Sequence, residues 1–453
     1  MSDLVSVLDG NRFLISDGNG DVDPSPTRPT GLFAFDTRFL SKWVLTLNGE
    51  RLHALSVDHL PCCEARFFLV PGVPTHYIDA KVSVFRQRTL ADVFHERLVV
   101  LNHCGQTVRL RVRMDIDSDF ADIFEVRNVT GKCCNRDVYA DGQLRLTYRR
   151  EEFWRETTIS STAPPKIDEG GMTFDITLDP HGHWSTELSI VSCMRGAHGK
   201  DLRETLSSHV RRTTEQAAKE ANEWIDGAPQ LVSDSEALRK AYHRSIMDLT
   251  RLRYHGLTTG EELPATGLPW FMTLFGRHAI FTCLQALPYL PQFTPGVLRS
   301  LAAAQGTRLD DFREEEPGKI LHEVRYGESS AFEEQPHSPY YGAADTTPLF
   351  VILLDEYERW SGDAELVRAL EAPARAALDW IDRYGNMMGD GYVRYQRRNL
   401  KHGLINQCWK DSADAISFAD GRLPDFPRAT CELQGYAYDA KMRGARLARM
   451  FWN

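Results

Sequence analysis

The sequence predicts two domains of different class, an antiparallel β-sandwich followed by a domain made mainly of helices. A chain of 453 residues is too long for one ordinary core. Roughly the first 200 residues carry short β-type runs, and a helical pattern takes over at about residue 233. We therefore predict a β-sandwich domain over 1–200, a linker helix over 201–230 and a helical domain over 231–453.

The β-domain is predicted from short segments rich in β-branched and aromatic residues. They are KWVLTLNGERLHAL, HERLVVLNH, TVRLRVRMDID, LRLTYRR, MTFDITLD and WSTELSIVS. Turn signals such as LNGE, NHCGQ and DPHGH separate them and favour hairpins. Runs at this spacing, with no long helical period between them, are typical of a large antiparallel sandwich.

The pattern changes in the second half of the chain. Residues 201–226 form a polar amphipathic segment, which is typical of a linker helix. Apolar residues at helical spacing then predict helices over 233–254, 277–288, 294–306, 345–361, 364–385 and 431–451, with a short one from about residue 409. The first of these opens with a Ser/Asp cap in SDSEALRKAY. The loops 307–343 and 386–408 are long and rich in Pro and Gly, and long ordered loops are usually functional.

The composition argues against several classes of partner. A net charge of −10 opposes binding to phosphate, so we expect no nucleic-acid partner. Neither a signal peptide nor an apolar run of about 18 residues is visible, so we expect no membrane span. The nine cysteines include the adjacent pairs Cys62/Cys63 and Cys133/Cys134 but no CxxC spacing. This usage favours free thiols in a reducing cytoplasm and argues against a zinc site.

Several stretches together resemble one known family. TGLFAFDTRFLSKWVLTLNG resembles the N-terminal β-domain of bacterial glycogen-debranching-enzyme-like proteins of the amylo-α-1,6-glucosidase type. Successive active-site loops of their helical domain resemble LPWFMTLFGRHAIFTCLQAL, EPGKILHEVRYGE, YYGAADTTPLFVILL, NQCWKDSADAI and CELQGYAYDA. The helical domain of this family is an (α/α)6 toroid, shared with inverting glycoside hydrolases such as glucoamylases, trehalases and processing α-glucosidases. The six motifs occur in the family's order and cover essentially the whole chain.

The resemblance implies that the toroid is incomplete. A full toroid has twelve helices, whereas the sequence after residue 230 predicts six or seven. The final segment CELQGYAYDAKMRGARLARMFWN runs to the end of the chain as a helix without a C-cap. We therefore expect the N-terminal half of an (α/α)6 toroid, truncated at its C-terminus. Half a toroid would expose apolar surface, which predicts self-association or a partner.

Inverting hydrolysis needs a protonated acid and a base on opposite sides of the bond, about 6.5–9.5 Å apart. If a helix begins near Trp409, Asp411 and Asp414 share one face about 5–6 Å apart, so at most one is catalytic and the other binds substrate. The pattern of debranching-type relatives implies Asp411 as the acid, whereas processing-glucosidase relatives imply Asp414. Both could instead complement a helix N-terminus. The family's base is a glutamate that would follow residue 453, so we expect this chain alone to be inactive or weak.

The motif FGRHAIF departs from the family, which usually has Phe-Gly-Arg-Asp here to bind glucose hydroxyls. Arg277 is present, but His278 replaces the aspartate, and a neutral imidazole offers one donor and one acceptor where a carboxylate only accepts. We expect weaker glucose recognition or a different sugar, unless His278 is a plain buried histidine. Further predicted substrate-binding residues are Glu323, Asp345, Trp409 and Glu432.

Each of these has a structural alternative. Trp409 would stack on a sugar ring or lie in the core. Glu323 would bind substrate or form an ion pair with Arg325 or Lys319, and Asp345 is also placed to be an N-cap. The HEVR motif lacks the second histidine of HExxH, so we predict no metal. Acid–base hydrolysis requires only carboxyl groups and water, so we predict no cofactor.

The leading hypothesis is an inverting glycoside hydrolase of debranching type that acts on α-glucosidic linkages of an oligosaccharide or polysaccharide. Within the same chemistry, the substrate could be a compact α-glucoside of the glucosylglycerate type. The alternative from another class is a non-catalytic carbohydrate-binding or regulatory protein, in which His278 and the absent base mark lost activity.

Overall fold

A computed structural model describes residues 4–25, 28–60, 63–72, 81–126, 135–138, 142–196, 213–257 and 259–452. Cys62, the pair Cys133/Cys134 and residues 201–212 of the predicted linker helix lie outside these ranges. The chain divides into two compact units, Met1–Glu223 and Trp224–Asn453. Within the described ranges, no helix is both long enough and apolar enough to cross a membrane.

The first unit is built from antiparallel strands. They are β1 (Val5–Asp9), β2 (Arg12–Ser16), β3 (Gly31–Ala34), β4 (Thr37–Leu40), β5 (Lys42–Leu47), β6 (Glu50–Leu60), β7 (Glu64–Pro71), β8 (Val82–Leu90), β9 (Phe94–Asn102), β10 (Val108–Asp117), β11 (Asn135–Val138), β12 (Leu144–Arg150), β13 (Phe153–Ser161), β14 (Lys166–Asp168), β15 (Gly171–Leu178) and β16 (His183–Arg195). One sheet has the order β1-β2-β3-β4, and the larger sheet has the order β11-β12-β13-β16-β9-β8-β7-β6-β5-β10-β15-β14. The two sheets touch where Thr157 of β13 donates a hydrogen bond to the carbonyl oxygen of Phe39 in β4. The predicted antiparallel β-sandwich is confirmed.

Strand β8 shows how the sandwich encloses charge. Every second residue of this strand is buried, which is the period expected of a strand with one face in the core. Two of these inward positions are arginines, Arg86 and Arg88, and both pair with the buried Glu96 of β9. Sequence reasoning overlooked β8 because charged residues at core positions obscure the apolar alternation.

The helices follow the predicted pattern. They are α1 (Thr214–Gly227), α2 (Glu236–Arg251), α3 (Gly276–Ala286), α4 (Phe293–Ala303), α5 (Glu328–Ala331), α6 (Thr346–Ser361), α7 (Ala364–Ala369), α8 (Glu371–Trp380) and α9 (Cys431–Phe451). A hairpin of β17 (Arg253–His255) and β18 (Glu262–Pro264) lies between α2 and α3. Ser235 caps α2 as predicted, since its side chain accepts a hydrogen bond from the backbone N–H of Leu238. A helical second unit is therefore confirmed.

One predicted helix is interrupted. The sequence favours a continuous helix over 364–385, but the structure has α7, then α8, then a π-helical turn at Ile381–Gly385. Pro373 has no N–H to bond the carbonyl oxygen of Ala369, so an α-helix cannot run through this point with all its bonds. The break lies where α7 ends.

Helix α6 lies at the centre of the second unit, in contact with α3, α4, α8 and α9. Its buried Asp355 accepts hydrogen bonds from Arg443 and Arg446 of α9, both at 2.8 Å. Arg443 pairs with Asp355, and Arg446, about one turn further along α9, also pairs with Glu358, about one turn further along α6. The two helices are therefore parallel, and their N-termini lie at the same end.

Candidate active site

The N-termini of α3, α6 and α9 come together in the second unit. Arg277 lies in the first turn of α3, Asp345 directly precedes α6, and Glu432 lies in the first turn of α9. Arg277 contacts Asp345, and the negative charge of Glu432 acts on Asp345. Helix N-termini stabilise carboxylates but not an arginine. Arg277 therefore depends on acidic partners to be stable at this position.

Arg277 links three segments that are distant in sequence. Its Nη1 donates to both carboxylate oxygens of Asp345 at 3.1 Å and to the carbonyl oxygen of Cys408 at 2.8 Å. Its Nη2 donates to Oδ2 of Asp411 at 2.7 Å. The guanidinium is almost fully buried, so these bonds are sheltered from water.

The side chain of Asp345 bonds Arg277 and does not cap its own helix. It occupies the N-cap position of α6, yet its side chain makes no capping hydrogen bond. Burial raises the pKa of Asp345, and the charge of Arg277 opposes that rise. The capping alternative for this residue is therefore not what the geometry shows.

Gly276 allows α3 to begin close to a neighbouring segment. A Cβ at this position would lie 2.3 Å from the carbonyl oxygen of Leu321, which is a clash with backbone. The backbone N–H of Gly276 donates to the carbonyl oxygen of His322 at 2.8 Å. A side chain here would push the first turn of α3, and Arg277 with it, away from the site.

The predicted short helix from residue 409 is wrong. Residues 408–416 form turns and bends instead. Asn406 donates from Nδ2 to the carbonyl oxygens of Ser412 and Ala413, at 2.7 and 3.4 Å, and Arg277 occupies the carbonyl oxygen of Cys408. A helix needs these carbonyl oxygens for its own i to i+4 bonds, so the side chains of Asn406 and Arg277 replace it.

The two aspartates of this segment differ in their surroundings, and their predicted shared helical face does not exist. The side chain of Asp411 is 38% exposed and is held by Arg277. Asp414 is exposed, and no residue in the described ranges bonds its carboxylate. Of the two predicted acids, the structure brings only Asp411 into the cluster.

Trp409 lies beside this cluster and is not a core residue, since 51% of it is exposed. Its ring packs edge-on against Phe281 of α3, with centroids 4.9 Å apart, and Phe281 lies 6.3 Å from the ring of Tyr436 in α9. The guanidinium of Arg277 lies 5.9 Å from the Trp409 ring. An aromatic surface therefore adjoins Asp411, the arrangement in which a pyranose could stack.

His278 lies between the cluster and the hairpin segment. Its Nδ1 is 3.4 Å from Oγ1 of Thr266, and its ring packs near that of Phe275. Burial lowers the pKa of His278, and the neighbouring charge of Arg277 lowers it further. The imidazole is therefore neutral near pH 7 and keeps one donor and one acceptor.

Glu323 forms the ion pair that was one of its two predicted roles. Its carboxylate pairs with Nε of Arg325 at 2.8 Å and with Nδ1 of His337 at 2.8 Å. Burial alone would raise its pKa, but the charges of Arg325 and His337 outweigh burial, and the pKa of Glu323 lies below its usual range. Both carboxylate oxygens are engaged, so a substrate hydroxyl would have to compete with these partners.

Glu432 has a free acceptor. Its Oε1 is buried, and within the described residues it accepts no hydrogen bond. Buried acceptors are normally satisfied, and an exception calls for a missing partner. A ligand hydroxyl is one group that would fill this position.

Sequence reasoning missed four residues that shape the site: Glu314, His322, Asn406 and Gln407. All four are buried polar side chains. The run of three glutamates at 314–316 was the one visible signal, because consecutive acids are seldom buried unless each has a partner. The other three lie in stretches that resemble active-site loops, but nothing in those stretches marks these residues as buried.

Residues 7–189 match the model of the N-terminal domain of some glycogen debranching enzymes. The β-domain is similar to the N-terminal domain of these enzymes. The match runs from β1 into β16, so it covers nearly all the described sandwich. No curated protein matches the sequence.

The similarity to one solved structure extends beyond the β-domain into the second unit. A protein assigned as a kojibiose phosphorylase from the human microbiome superposes with a TM-score of 0.53 at 9% identity, over 82% of this chain and 56% of that one. The chain thus spans little more than half the length of that protein. A rhamnosidase from Klebsiella oxytoca with rhamnose bound is less similar, with a TM-score of 0.32 at 12% identity over 82% of this chain and 67% of that one. A GalM/aldose epimerase homologue from C. elegans has a TM-score of 0.22 at 10% identity over 42% of this chain and 99% of that one. The kojibiose phosphorylase structure supports the order of a β-domain followed by a helical domain.

Proposed function

We propose that this chain carries the acid side of an inverting glycoside hydrolase site of debranching type, with Asp411 as the general acid for an α-1,6-glucosidic bond. The observation that carries the proposal is the Arg277 bridge, which holds Asp411 beside Asp345 and next to the half-exposed Trp409. The debranching-enzyme N-terminal domain supports glucan as the substrate class.

Each residue of the cluster has a distinct role in this proposal. A glucose ring stacks on Trp409, and Glu432 accepts a hydrogen bond from a sugar hydroxyl through its unfilled Oε1. Without substrate, Nη2 of Arg277 donates a hydrogen bond to Asp411. In the proposed complex a sugar hydroxyl accepts from Nη2 of Arg277 in place of Asp411. Asp411 then takes a proton from water and donates it to the leaving oxygen as the bond from that oxygen to the anomeric carbon breaks.

Among the described carboxylates near Asp411 we assign no general base. Asp345 is fully buried and both of its carboxylate oxygens accept from Arg277, and Glu323 is bound by Arg325 and His337, so we assign the role of base to neither. We expect the chain by itself to bind α-glucosides and to hydrolyse them weakly or not at all.

The test is calorimetric titration of the chain with isomaltose, which has the α-1,6 linkage, and with maltose, which has the α-1,4 linkage. We expect saturable binding that favours isomaltose and weakens about tenfold or more in Asp411→Asn, because a hydrogen bond to a charged group is lost. Asp414→Asn is the matched control and should bind like the wild type. No saturable binding of either sugar, or equal losses in both variants, would overturn the proposal.

Turnover is measured separately by ¹H NMR, which distinguishes the anomers of released glucose. Inversion at an α-linkage releases β-glucose first. Assays with a branched limit dextrin and with a small α-glucoside such as glucosylglycerate would separate the two substrate classes. Clear turnover by residues 1–453 would show that the base lies inside this chain.

A second candidate function is non-catalytic carbohydrate binding, and His278 favours it. A neutral imidazole replaces a carboxylate acceptor at a position that adjoins Arg277. His278→Asp should tighten glucose binding if the site has kept the geometry of a hydrolase. Unchanged or weaker binding in this variant would favour the binding role.

We place this function in the cytoplasm. The described cysteines Cys63, Cys104, Cys193, Cys283, Cys408 and Cys431 are all free thiols. Free thiols in this number suit a reducing compartment.

A further inference from the structure

Three consecutive glutamates, Glu314, Glu315 and Glu316, are buried in the loop that precedes α5. Three adjacent buried carboxylates are costly unless each has its own partners. Glu315 accepts from the backbone N–H groups of Thr307 and Arg308, so it closes its own loop. Glu316 accepts from the indole N–H of Trp380 and pairs with Arg398. Of the three, Glu314 is the one whose side chain bonds Gln407, in the segment that leads to Asp411.

The carboxylate of Glu314 makes three hydrogen bonds to that segment. Its Oε1 accepts from the backbone N–H groups of Arg398 and Asn399, at 2.9 and 3.0 Å, and its Oε2 accepts from Nε2 of Gln407 at 2.6 Å. Glu314 and Gln407 are both about 1% exposed, so water does not compete for these bonds. Glu314 also has a left-handed backbone, with φ of 59°, which an ordinary residue adopts only when its surroundings impose it.

Gln407 transmits this contact to the site. Its carbonyl oxygen accepts from the backbone N–H of Ala344 at 2.8 Å, next to Asp345. The following carbonyl oxygen, that of Cys408, accepts from Arg277. Between Gln407 and Asp411 the chain has no helix or strand to hold it in place. The position of Asp411 therefore depends on where Gln407 is held.

We infer that Glu314 is a positioning residue for Asp411 that acts through Gln407. The inference rests on the proposed function of Asp411, but its structural part is independent of activity. A displacement of about 1 Å in a catalytic group can cost on the order of 100-fold in rate. Glu314 thus links its own loop to the placement of the acid.

The first test is hydrogen exchange by mass spectrometry on the full chain. The reporter is the amide of Ala344, which bonds Gln407 and does not touch Glu314. Glu314→Ala should accelerate exchange at Ala344 about tenfold or more, whereas Glu315→Ala, which loosens the same loop, should leave it near the wild-type rate. Equal exchange at Ala344 in the wild type and in Glu314→Ala would overturn the inference.

A double variant that swaps the side chains of Glu314 and Gln407 distinguishes loss of their contact from general unfolding. Gln407→Glu places two carboxylates against each other and should accelerate exchange at Ala344. Adding Glu314→Gln restores one donor and one acceptor across the contact, and the double variant should return toward the wild-type rate. A double variant that exchanges as fast as Gln407→Glu would contradict a direct contact between the two side chains.

A functional measurement separates positioning from stability. On any α-glucoside that the wild type hydrolyses, Glu314→Ala should lower kcat about 10- to 100-fold, because Asp411 is displaced. KM should rise by a smaller factor, because Trp409 is the one proposed sugar-binding residue on the same segment. A rise in KM with unchanged kcat would assign Glu314 to substrate binding and overturn the inference. If the wild type neither binds nor hydrolyses α-glucosides, the proposed function fails, while the exchange data still decide whether Glu314 positions Asp411.

Discussion

The buried charge cluster of the β-domain makes a quantitative prediction. Glu96 accepts from Nε of Arg86 at 3.0 Å and from Nε of Arg88 at 2.5 Å, and Arg86 also pairs with Asp21 at 2.7 Å. Both arginines and Glu96 are fully buried. The cluster of two carboxylates and two guanidinium groups is neutral as a whole, which is what makes its burial tolerable.

Glu96→Gln removes one negative charge at nearly constant volume. The cluster then carries a net charge of +1 in the core, and one of the two arginines faces an amide N–H₂ group instead of an acceptor. Burial already lowers the pKa of Arg88 to about 10, a sign that its charged form is stabilised mainly by these neighbours. Removing one partner of a buried pair costs about 3–5 kcal/mol. We expect Glu96→Gln to destabilise the β-domain by this amount.

The assay is hydrogen exchange at the core amides of β8 and β9, because it reports this domain in the presence of the helical one. A loss of 3 kcal/mol corresponds to roughly 100-fold faster exchange or more. The compensating variant Glu96→Gln with Arg88→Met leaves Asp21 and Arg86 as a neutral pair and should recover about 2 kcal/mol. Acceleration below about tenfold, or a double variant no more stable than the single one, would refute this reasoning.

Three further predictions concern the helical unit. Burial lowers the pKa of His322 from 6.5 to about 3, so between these values the unfolded state takes up a proton that the native state does not. The free energy of unfolding should therefore fall as the pH drops below 6.5, by up to about 1.4 kcal/mol per pH unit. In His322→Phe, urea denaturation at a series of pH values should show a weaker dependence of this free energy on pH. An equal dependence in both proteins would contradict this. Asp355→Asn should weaken the packing of α9 against α6 by about 1–3 kcal/mol, measured as faster amide exchange in α9. The control Glu371→Gln, which alters an ion pair at the surface, should change the exchange rates little. Equal effects of the two substitutions would be evidence against a specific role for Asp355. Tyr438 and Met442 lie one turn apart on α9, with 69% and 53% of their areas exposed. We therefore expect the chain to self-associate through this surface, and Met442→Lys to weaken the association measured by sedimentation velocity. A sedimentation coefficient that does not change with protein concentration would argue against this surface.

Periodicity made the helices of the second unit predictable. The expected helix over 345–361 differs by one residue from Thr346–Ser361, and the expected helix over 431–451 coincides with Cys431–Phe451. Apolar residues at helical spacing are a property of the local sequence, and burial of that face stabilises the helix wherever it packs. The same logic failed at residue 409, because Asn406 and Arg277 took the carbonyl oxygens that a helix would need.

The candidate site was predicted as a set of residue types, and the structure assigned the contacts. Arg277, Asp345 and Asp411 come together in one cluster, whereas Asp414 remains exposed and Glu323 is bound by its own neighbours. No local pattern distinguishes Asp411 from Asp414, since both follow Trp409 within five residues. What separates them is the position of a guanidinium more than a hundred residues earlier in the chain.

The sequence by itself determined the class of each domain and the extent of most helices, because apolar spacing and turn residues act over a few neighbouring positions. Only the tertiary structure decided which carboxylate meets Arg277, where the free oxygen of Glu432 lies, and that Glu314 holds Gln407. These choices depend on hydrogen bonds between residues as far apart as Arg277 and Cys408, which are separated by 131 positions. Such bonds form only after the helices have packed, so no short stretch of sequence carries the information that selects them.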